Sequence, residues 1–309
     1  MTTRRQDDYH RKRARAASQY GGVEWLGEFI DAIESNGSSD DPNGGTVAMQ
    51  RVNFDVTDST NVQARRIAAQ YPGECVLVTA AQQTAGRGRN GRQWQSPRGG
   101  AWMSLAWPMR NAPGTYATAS LVAAVSVLRA VSEIVPECAD LLQVKWPNDL
   151  LLRGRKVAGI LCEQTLGGTA NPSAALLIGV GVNVDFDVAV LPPDLRHPAT
   201  TLRQESNRAV MVEHVVNGVT ACLIQLLSDF ESEGLSEALV EELQSRLAYI
   251  GMIRTFDIAS HVASGRIAGI DPLGRLMIQC VGGDIAITAG ELLNQEDDTG
   301  FVGHTDLRP

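Results

Sequence analysis

Residues 83–98 limit what this chain can fold into more than any other stretch. They hold three glycines (Gly86, Gly88, Gly91), four arginines (Arg87, Arg89, Arg92, Arg98) and Trp94, with no apolar period. A core helix or strand cannot be built from them, because buried guanidinium groups would lose their hydration without partners. Glycine frees the backbone for positive φ and for close approach by another molecule. Arginine presents a planar, permanently charged fork that suits carboxylates and phosphates. The stretch therefore reads as a mobile anion-binding loop. The apolar run Val76–Ala81 reads as the strand that carries it.

The remaining residues must supply the scaffold. A chain of 309 residues, 44% of them hydrophobic, is enough for one large domain and a small one. A net charge of −8 argues against a dedicated nucleic-acid binder. The cysteines (Cys75, Cys138, Cys162, Cys222, Cys280) are odd in number and widely spaced, without a C-x-x-C pair. They predict reduced thiols, a cytoplasmic setting and no metal site. No apolar run approaches the roughly 20 residues of a membrane span. The basic N-terminus lacks the apolar core of a signal peptide.

Four segments are expected along the chain. Residues 1–46 read as a disordered basic leader, a short amphipathic helix over 23–34 and a Ser/Asn/Gly/Asp linker over 35–46. No helix-turn-helix is evident before the linker. Residues 47–248 form the main domain. Within it, strands are expected at 52–56, 75–81, 101–107, 141–146 and 174–184, with a hairpin over 150–163. Helices are expected over 58–70, 116–135, 210–230 and 235–249, and an irregular connection over 185–208. Residues 249–295 hold short β runs separated by Gly and Asp turns, the pattern of a small barrel. Residues 296–309 read as a polar tail.

Three further stretches carry polar residues that secondary structure does not require. Asp58-Ser59-Thr60-Asn61 is either a plain helix N-cap or a recognition site for a small polar ligand. Lys145-Trp146-Pro147-Asn148-Asp149 crowds Lys145, Asn148 and Asp149 into the turn after a strand, as turn chemistry or as a functional cluster. Lys156 leads into the apolar strand Val157–Leu161, either snorkelling to solvent or serving an anion.

Taken together, these stretches resemble the biotin protein ligase family, the biotin–[acetyl-CoA-carboxylase] ligases. The resemblance rests on DSTN at 58–61, QQTAGRGRNGRQWQSP at 82–97, KWPNDLLLRGRKVAGILCE at 145–163 and IGVGVNV at 178–184. It implies an α+β fold: a mixed or antiparallel sheet with helices, plus a small C-terminal SH3-like β-barrel. It also implies two reaction steps. Biotin and ATP give biotinyl-5′-AMP and pyrophosphate, with Mg as companion of ATP. A lysine of a biotin carboxyl carrier domain, in acetyl-CoA carboxylase or a related biotin-dependent carboxylase, then takes the biotinyl group. Neither nucleic acid nor membrane is an expected partner, and the chain is expected as a monomer or homodimer.

The resemblance also assigns roles. Ser59, Thr60, Asn61 and Gln83 fall at the biotin head. Arg87, Gly88 and Arg89 fall on the loop that folds over the ligand, and Trp94 and Asn183 at the adenine. Lys156 matches the lysine that holds the biotin carboxylate and then the phosphate, which with Arg89 and Asp149 makes up the expected catalytic set. Gly159, Ile160 and Leu161 line the biotin pocket, and Lys145, Asn148 and Gly181 complete the adenylate site. Asp149 matches a carboxylate that acts as base or supports Mg. The alternatives are a lipoate–protein ligase of the same architecture and, in another class, a DNA-binding biotin-responsive regulator.

Overall fold

The computed structural model describes residues 38–40, 46–165, 174–258 and 261–292. The expected leader, the 23–34 helix and the 296–309 tail lie outside them.

An eight-stranded sheet organises the larger part of the chain. Its strands are β1 (Ser38–Asp40), β2 (Thr46–Thr57), β3 (Cys75–Gln83), β4 (Gly100–Pro108), β5 (Leu142–Lys145), β6 (Asp149–Leu152), β7 (Arg155–Thr165) and β8 (Ala175–Asn183). They lie in the order β1-β2-β3-β4-β8-β7-β6-β5. Only β2 and β3 run parallel, because α1 (Thr60–Ala68) crosses between them; every other pair is antiparallel. The sheet is mixed, as expected. β1 is a difference: residues 38–40 lie in the expected linker, yet pair with Thr46–Ala48 at the sheet edge.

Central strands buried on both faces read as unbroken apolar runs. β4 and β8 are buried along almost their whole length. Over one face lies α2 (Ala119–Ile134), preceded by a 3-10 turn at Pro113–Thr118. By length and composition Pro113–Ile134 is apolar enough to cross a membrane, contrary to the sequence expectation of no such run. Alanine, serine and threonine dilute its hydrophobicity to the eye. It is the core helix, packed against α4 (Val212–Glu233), with Leu121, Val122, Val125, Val127 and Val131 buried. The connection after β8 includes a short helix, α3 (Leu202–Ser206), capped by the Thr201 side chain, where the sequence suggested irregular chain.

After α5 (Glu237–Ser245) the chain enters a five-stranded antiparallel sheet. It comprises β9 (Ile253–Ile258), β10 (His261–Ile270), β11 (Leu276–Cys280), β12 (Gly283–Ile287) and β13 (Glu291–Leu292), in the order β12-β11-β10-β9-β13. This is the small C-terminal β unit read from the Gly/Asp spacing. One tie to the large sheet is the Trp146 indole N–H, which donates to the Gly274 carbonyl at 3.0 Å. Gly274 has φ +75°, and a Cβ there would come within 2.8 Å of Leu121 and 2.9 Å of Leu235. Gly274→Val adds backbone strain and a clash at one site. It should cost about 2–4 kcal/mol, read as a lowered urea midpoint.

Candidate active site

Every site residue expected from the sequence lines one cleft of about 340 Å³. Three separate connections bring them together. The turn after β2 starts α1 and brings Ser59, Thr60 and Asn61. The loop after β3 brings Arg87–Trp94. The β5–β6 turn and β7 bring Lys145, Asn148, Asp149, Lys156 and Gly159–Leu161. Gly181 and Asn183 come from β8.

One wall is neutral and polar. Ser59 is the N-cap of α1, but its side chain makes no capping bond, which leaves the hydroxyl unspent. The Thr60 N–H donates to Gln83 Oε1 at 2.8 Å, and Gln83 Nε2 donates to Ser96 at 2.7 Å. Asn61 lines the cleft with its amide already partnered: its N–H donates to Glu163 at 3.0 Å, and its Oδ1 lies 2.6 Å from Ser104 Oγ.

The opposite end is charged. Lys156 Nζ sits 2.7 Å from Asp149 Oδ1, off the line of a directed hydrogen bond, so the contact is an ion pair. Lys145 Nζ lies 4.0 Å from Asp149 Oδ2 and 2.7 Å from His197 Nε2. His197 comes from the connection after β8, which returns beside β7: the Lys156 N–H donates to Pro198 O at 2.7 Å, and the Thr200 N–H to Lys156 O at 3.0 Å. Burial, chiefly, lowers Lys145 to about 8. Burial and the nearby Lys145 and Lys156 charges push His197 down to about 4. The ring is therefore neutral at pH 7 and accepts from the Lys145 ammonium through Nε2, which places its own proton on Nδ1.

Trp94 forms the lid of the glycine floor. A Cβ at Gly159 would come within 2.9 Å of its ring and one at Gly181 within 2.5 Å, so only glycine lets the indole lie this close to β7 and β8. Lys156 Nζ stands 5.0 Å from the ring centroid. The Trp94 indole N–H is buried without a partner.

The Arg/Gly loop is tethered. Asn90 (φ 56°) and Gly91 (φ 72°) turn it through the left-handed region. A Cβ on Gly86 would meet the Trp94 carbonyl at 2.4 Å. Arg89 donates to Asn148 Oδ1 at 2.9 Å and to Gly290 O at 3.3 Å, while Glu291 pairs with Arg92 and Arg196. Arg87 lines the cleft and stands 4.0 Å from Glu163. Asn183 donates to Thr200 O at 3.0 Å, leaving its Oδ1 for a ligand.

Among the described residues no group of three His, Cys, Asp or Glu side chains could hold a metal. Asp149 does not fit a Mg ligand, since its oxygens face two ammonium groups. An ATP-borne Mg is held largely by phosphate and water oxygens.

This arrangement matches known proteins. The sequence profile of the biotin/lipoate A/B protein ligase family matches residues 53–183. A biotin–[acetyl-CoA-carboxylase] ligase of Paracoccus denitrificans is 32% identical over 239 residues, covering 76% of this chain and 97% of that one. The chain belongs to the biotin protein ligase family. The bifunctional ligase/repressor BirA of Bacillus subtilis is 31% identical, over 73% of this chain and 68% of its own length. Among solved structures, the biotin protein ligase of Aquifex aeolicus in complex with biotin and ATP superposes with a TM-score of 0.66 at 25% identity. That match covers 79% of this chain and 97% of that one.

Sequence reasoning did not find Ser96, Ser104, His197, Gly290 or Glu291. Each is a common residue type that reaches the site through tertiary packing. His197 gives the clearest test. Its folded ring takes a proton only near pH 4, whereas an unfolded histidine takes one near about 6.5. The unfolded state thus binds more protons between those values, and stability falls as pH drops through that window. In NMR, the His197 ring carbons should titrate near 4, and His197→Gln should remove this part of the acid loss.

Proposed function

We propose that this chain activates biotin with ATP and transfers it to a lysine of a biotin carrier domain. Family membership supports the reaction. The observation that carries the residue roles is a single cleft with a neutral hydrogen-bonding wall at one end and paired lysines at the other. A ureido ring needs the first and a carboxylate meeting a phosphate needs the second.

The chemistry then follows from the side chains. The biotin head binds at Ser59, Thr60 and Gln83, with Asn61 completing the wall. The valeryl chain crosses Gly159, Ile160 and Leu161 beneath Trp94, and the adenine lies by Trp94, Gly181 and Asn183. Two anions must meet, so Lys156 holds the carboxylate and Lys145 adds a second charge against their repulsion. A carboxylate oxygen attacks the α-phosphorus, and pyrophosphate leaves. Lys156 then stays on the phosphate of the mixed anhydride. Bringing the reactants together in register supplies much of the acceleration.

Asp149 keeps both ammonium groups in place until the substrates enter. As an anion in the same cleft it is also positioned to receive a proton from the incoming carrier lysine. That neutral amine attacks the carbonyl, an amide forms and AMP departs. Arg87, Gly88 and Arg89 close over the intermediate, and Arg89 latches the loop through Asn148. Closure excludes water, which would otherwise hydrolyse the anhydride.

We assign the catalytic unit to residues 47–248 and the small β unit to 249–295, with Gly290 and Glu291 reaching back to the loop. The inferred setting is the cytoplasm, where ATP is available and the five free thiols stay reduced.

Biotin-dependent exchange of pyrophosphate into ATP tests the first step. A charge-assisted bond contributes about 1.5–3 kcal/mol, so Lys156→Ala should lower exchange about tenfold to a few hundredfold in protein that remains folded. Unchanged exchange would remove Lys156 from the site. Arg89→Gly breaks the latch and adds backbone freedom to the loop. The intermediate should form and escape sooner, since such losses appear mainly in the off-rate. Streptavidin blots should then show biotin on bystander albumin with the variant, and on the carrier alone with the natural chain.

A further inference from the structure

Behind the neutral wall lies a chain of hydrogen bonds whose direction is not free. Glu163, on β7, does not line the cleft. Its Oε2 is 3.0 Å from Asn61 Nδ2, and its Oε1 is 3.5 Å from Arg65. Asn61 Oδ1 lies 2.6 Å from the hydroxyl of Ser104, a fully buried residue of β4, and that hydroxyl lies 2.7 Å from Thr60 Oγ1. Thr60 and Asn61 both line the cleft, and Glu163 and Ser104 stand behind them.

One Ser104 hydrogen cannot serve both neighbours. An ionised carboxylate only accepts, so Asn61 must turn its NH₂ to Glu163 and its carbonyl oxygen to Ser104. Ser104 must then donate to Asn61, because two acceptors 2.6 Å apart would repel. With its proton committed there, Ser104 can only accept from Thr60. Thr60 in turn has no proton left for the cleft and presents lone pairs to it. Gln83 Oε1 accepts the backbone N–H of Thr60 at 2.8 Å and lies 3.1 Å from Thr60 Oγ1, whose proton the shorter Ser104 contact takes. The wall therefore offers acceptors to a ligand, and the Ser59 hydroxyl beside it remains able to donate. Asn61 Oδ1 fits here because Gly179 has no Cβ, which would stand 2.3 Å from it.

We propose that Glu163 is a positioning residue that sets the hydrogen-bond polarity of the biotin-head wall, acting through Asn61 and Ser104 so that Thr60 accepts from a ureido N–H. This rests on the biotin-activating function proposed above. Ordering the wall in advance spares the ligand the cost of reorienting three buried groups on binding.

The test is biotin-dependent pyrophosphate exchange with KM measured separately for biotin and ATP, alongside melting temperature. Glu163→Leu frees Asn61 to turn over and lets Thr60 point its proton at the ligand. Its KM for biotin should rise about tenfold to a hundredfold, the range for a buried polar group left mismatched, with KM for ATP unchanged. Glu163→Gln retains an acceptor for Asn61, though its own NH₂ can also turn toward Asn61, and loses only partly exposed ion pairs of small worth, so it should raise KM for biotin less than Glu163→Leu does. Ser104→Ala cuts the chain in the middle and should also raise KM for biotin. The double variant with Glu163→Leu should be less than additive, because both act through one network.

Three results would overturn the proposal: natural KM for biotin in Glu163→Leu, equal rises for biotin and ATP, or a Gln variant no better than Leu. If Glu163→Leu fails to fold, Ser104→Ala decides it: a natural KM for biotin, or equal rises for biotin and ATP, would overturn the proposal. A natural chain with no biotin-dependent exchange at all would overturn the proposed function, and this inference with it.

Discussion

The cleft depends on the ion pair between Lys156 and Asp149. Two negative substrates must meet there, so positive charge has to be in place before either arrives. Lysine side chains clustered in a partly buried site repel one another and tend to lose their protons. Asp149 counters this by standing 2.7 Å from Lys156 and 4.0 Å from Lys145. The neutral His197 ring takes the other side of Lys145 as an acceptor without adding charge. The cluster is thus charged enough to bind anions and neutral enough to fold.

Backbone geometry places this cluster beside the rest of the site. Asp149 pairs with Gly159 across the β6–β7 ladder, and Gly159 pairs with Gly181 across β7–β8. That row sets Asp149, Gly159 and Gly181 at one level of the sheet. The two glycines let Trp94 lie flat against it. The second sheet contributes at the rim: Gly290 accepts from Arg89, and Glu291 holds Arg92 and Arg196. The loop is consequently held by the small β unit as well as by its own turns. A lost contact in that unit would therefore loosen the loop.

Much of the site was legible because its parts are local in sequence. The Arg/Gly loop, the Lys-Trp-Pro-Asn-Asp turn and the Lys156 strand each contain residues that neither helix nor strand propensity explains. Most strands of both sheets were legible too, from apolar runs bounded by glycine and aspartate. What escaped was non-local or compositionally plain. His197 sits in a proline-bearing connection that reads as loop, and only its return beside β7 brings it to Lys145. Ser104 reads as a small residue in an apolar strand, yet the polarity of the wall passes through it. Asn61 lines the cleft as a candidate for the biotin head, and its partners Glu163 and Ser104 are contacts that residue type alone does not reveal.

The central claim is that this cleft makes a biotinyl group transferable and delivers it to one kind of acceptor. Intact mass of a biotin carrier domain, after incubation with the chain, biotin, ATP and Mg²⁺, tests it most directly. The account predicts a gain of one biotinyl group, at the carrier's single acceptor lysine, that requires all four components. A carrier mass that stays unchanged while the chain is folded and binds ATP would contradict it.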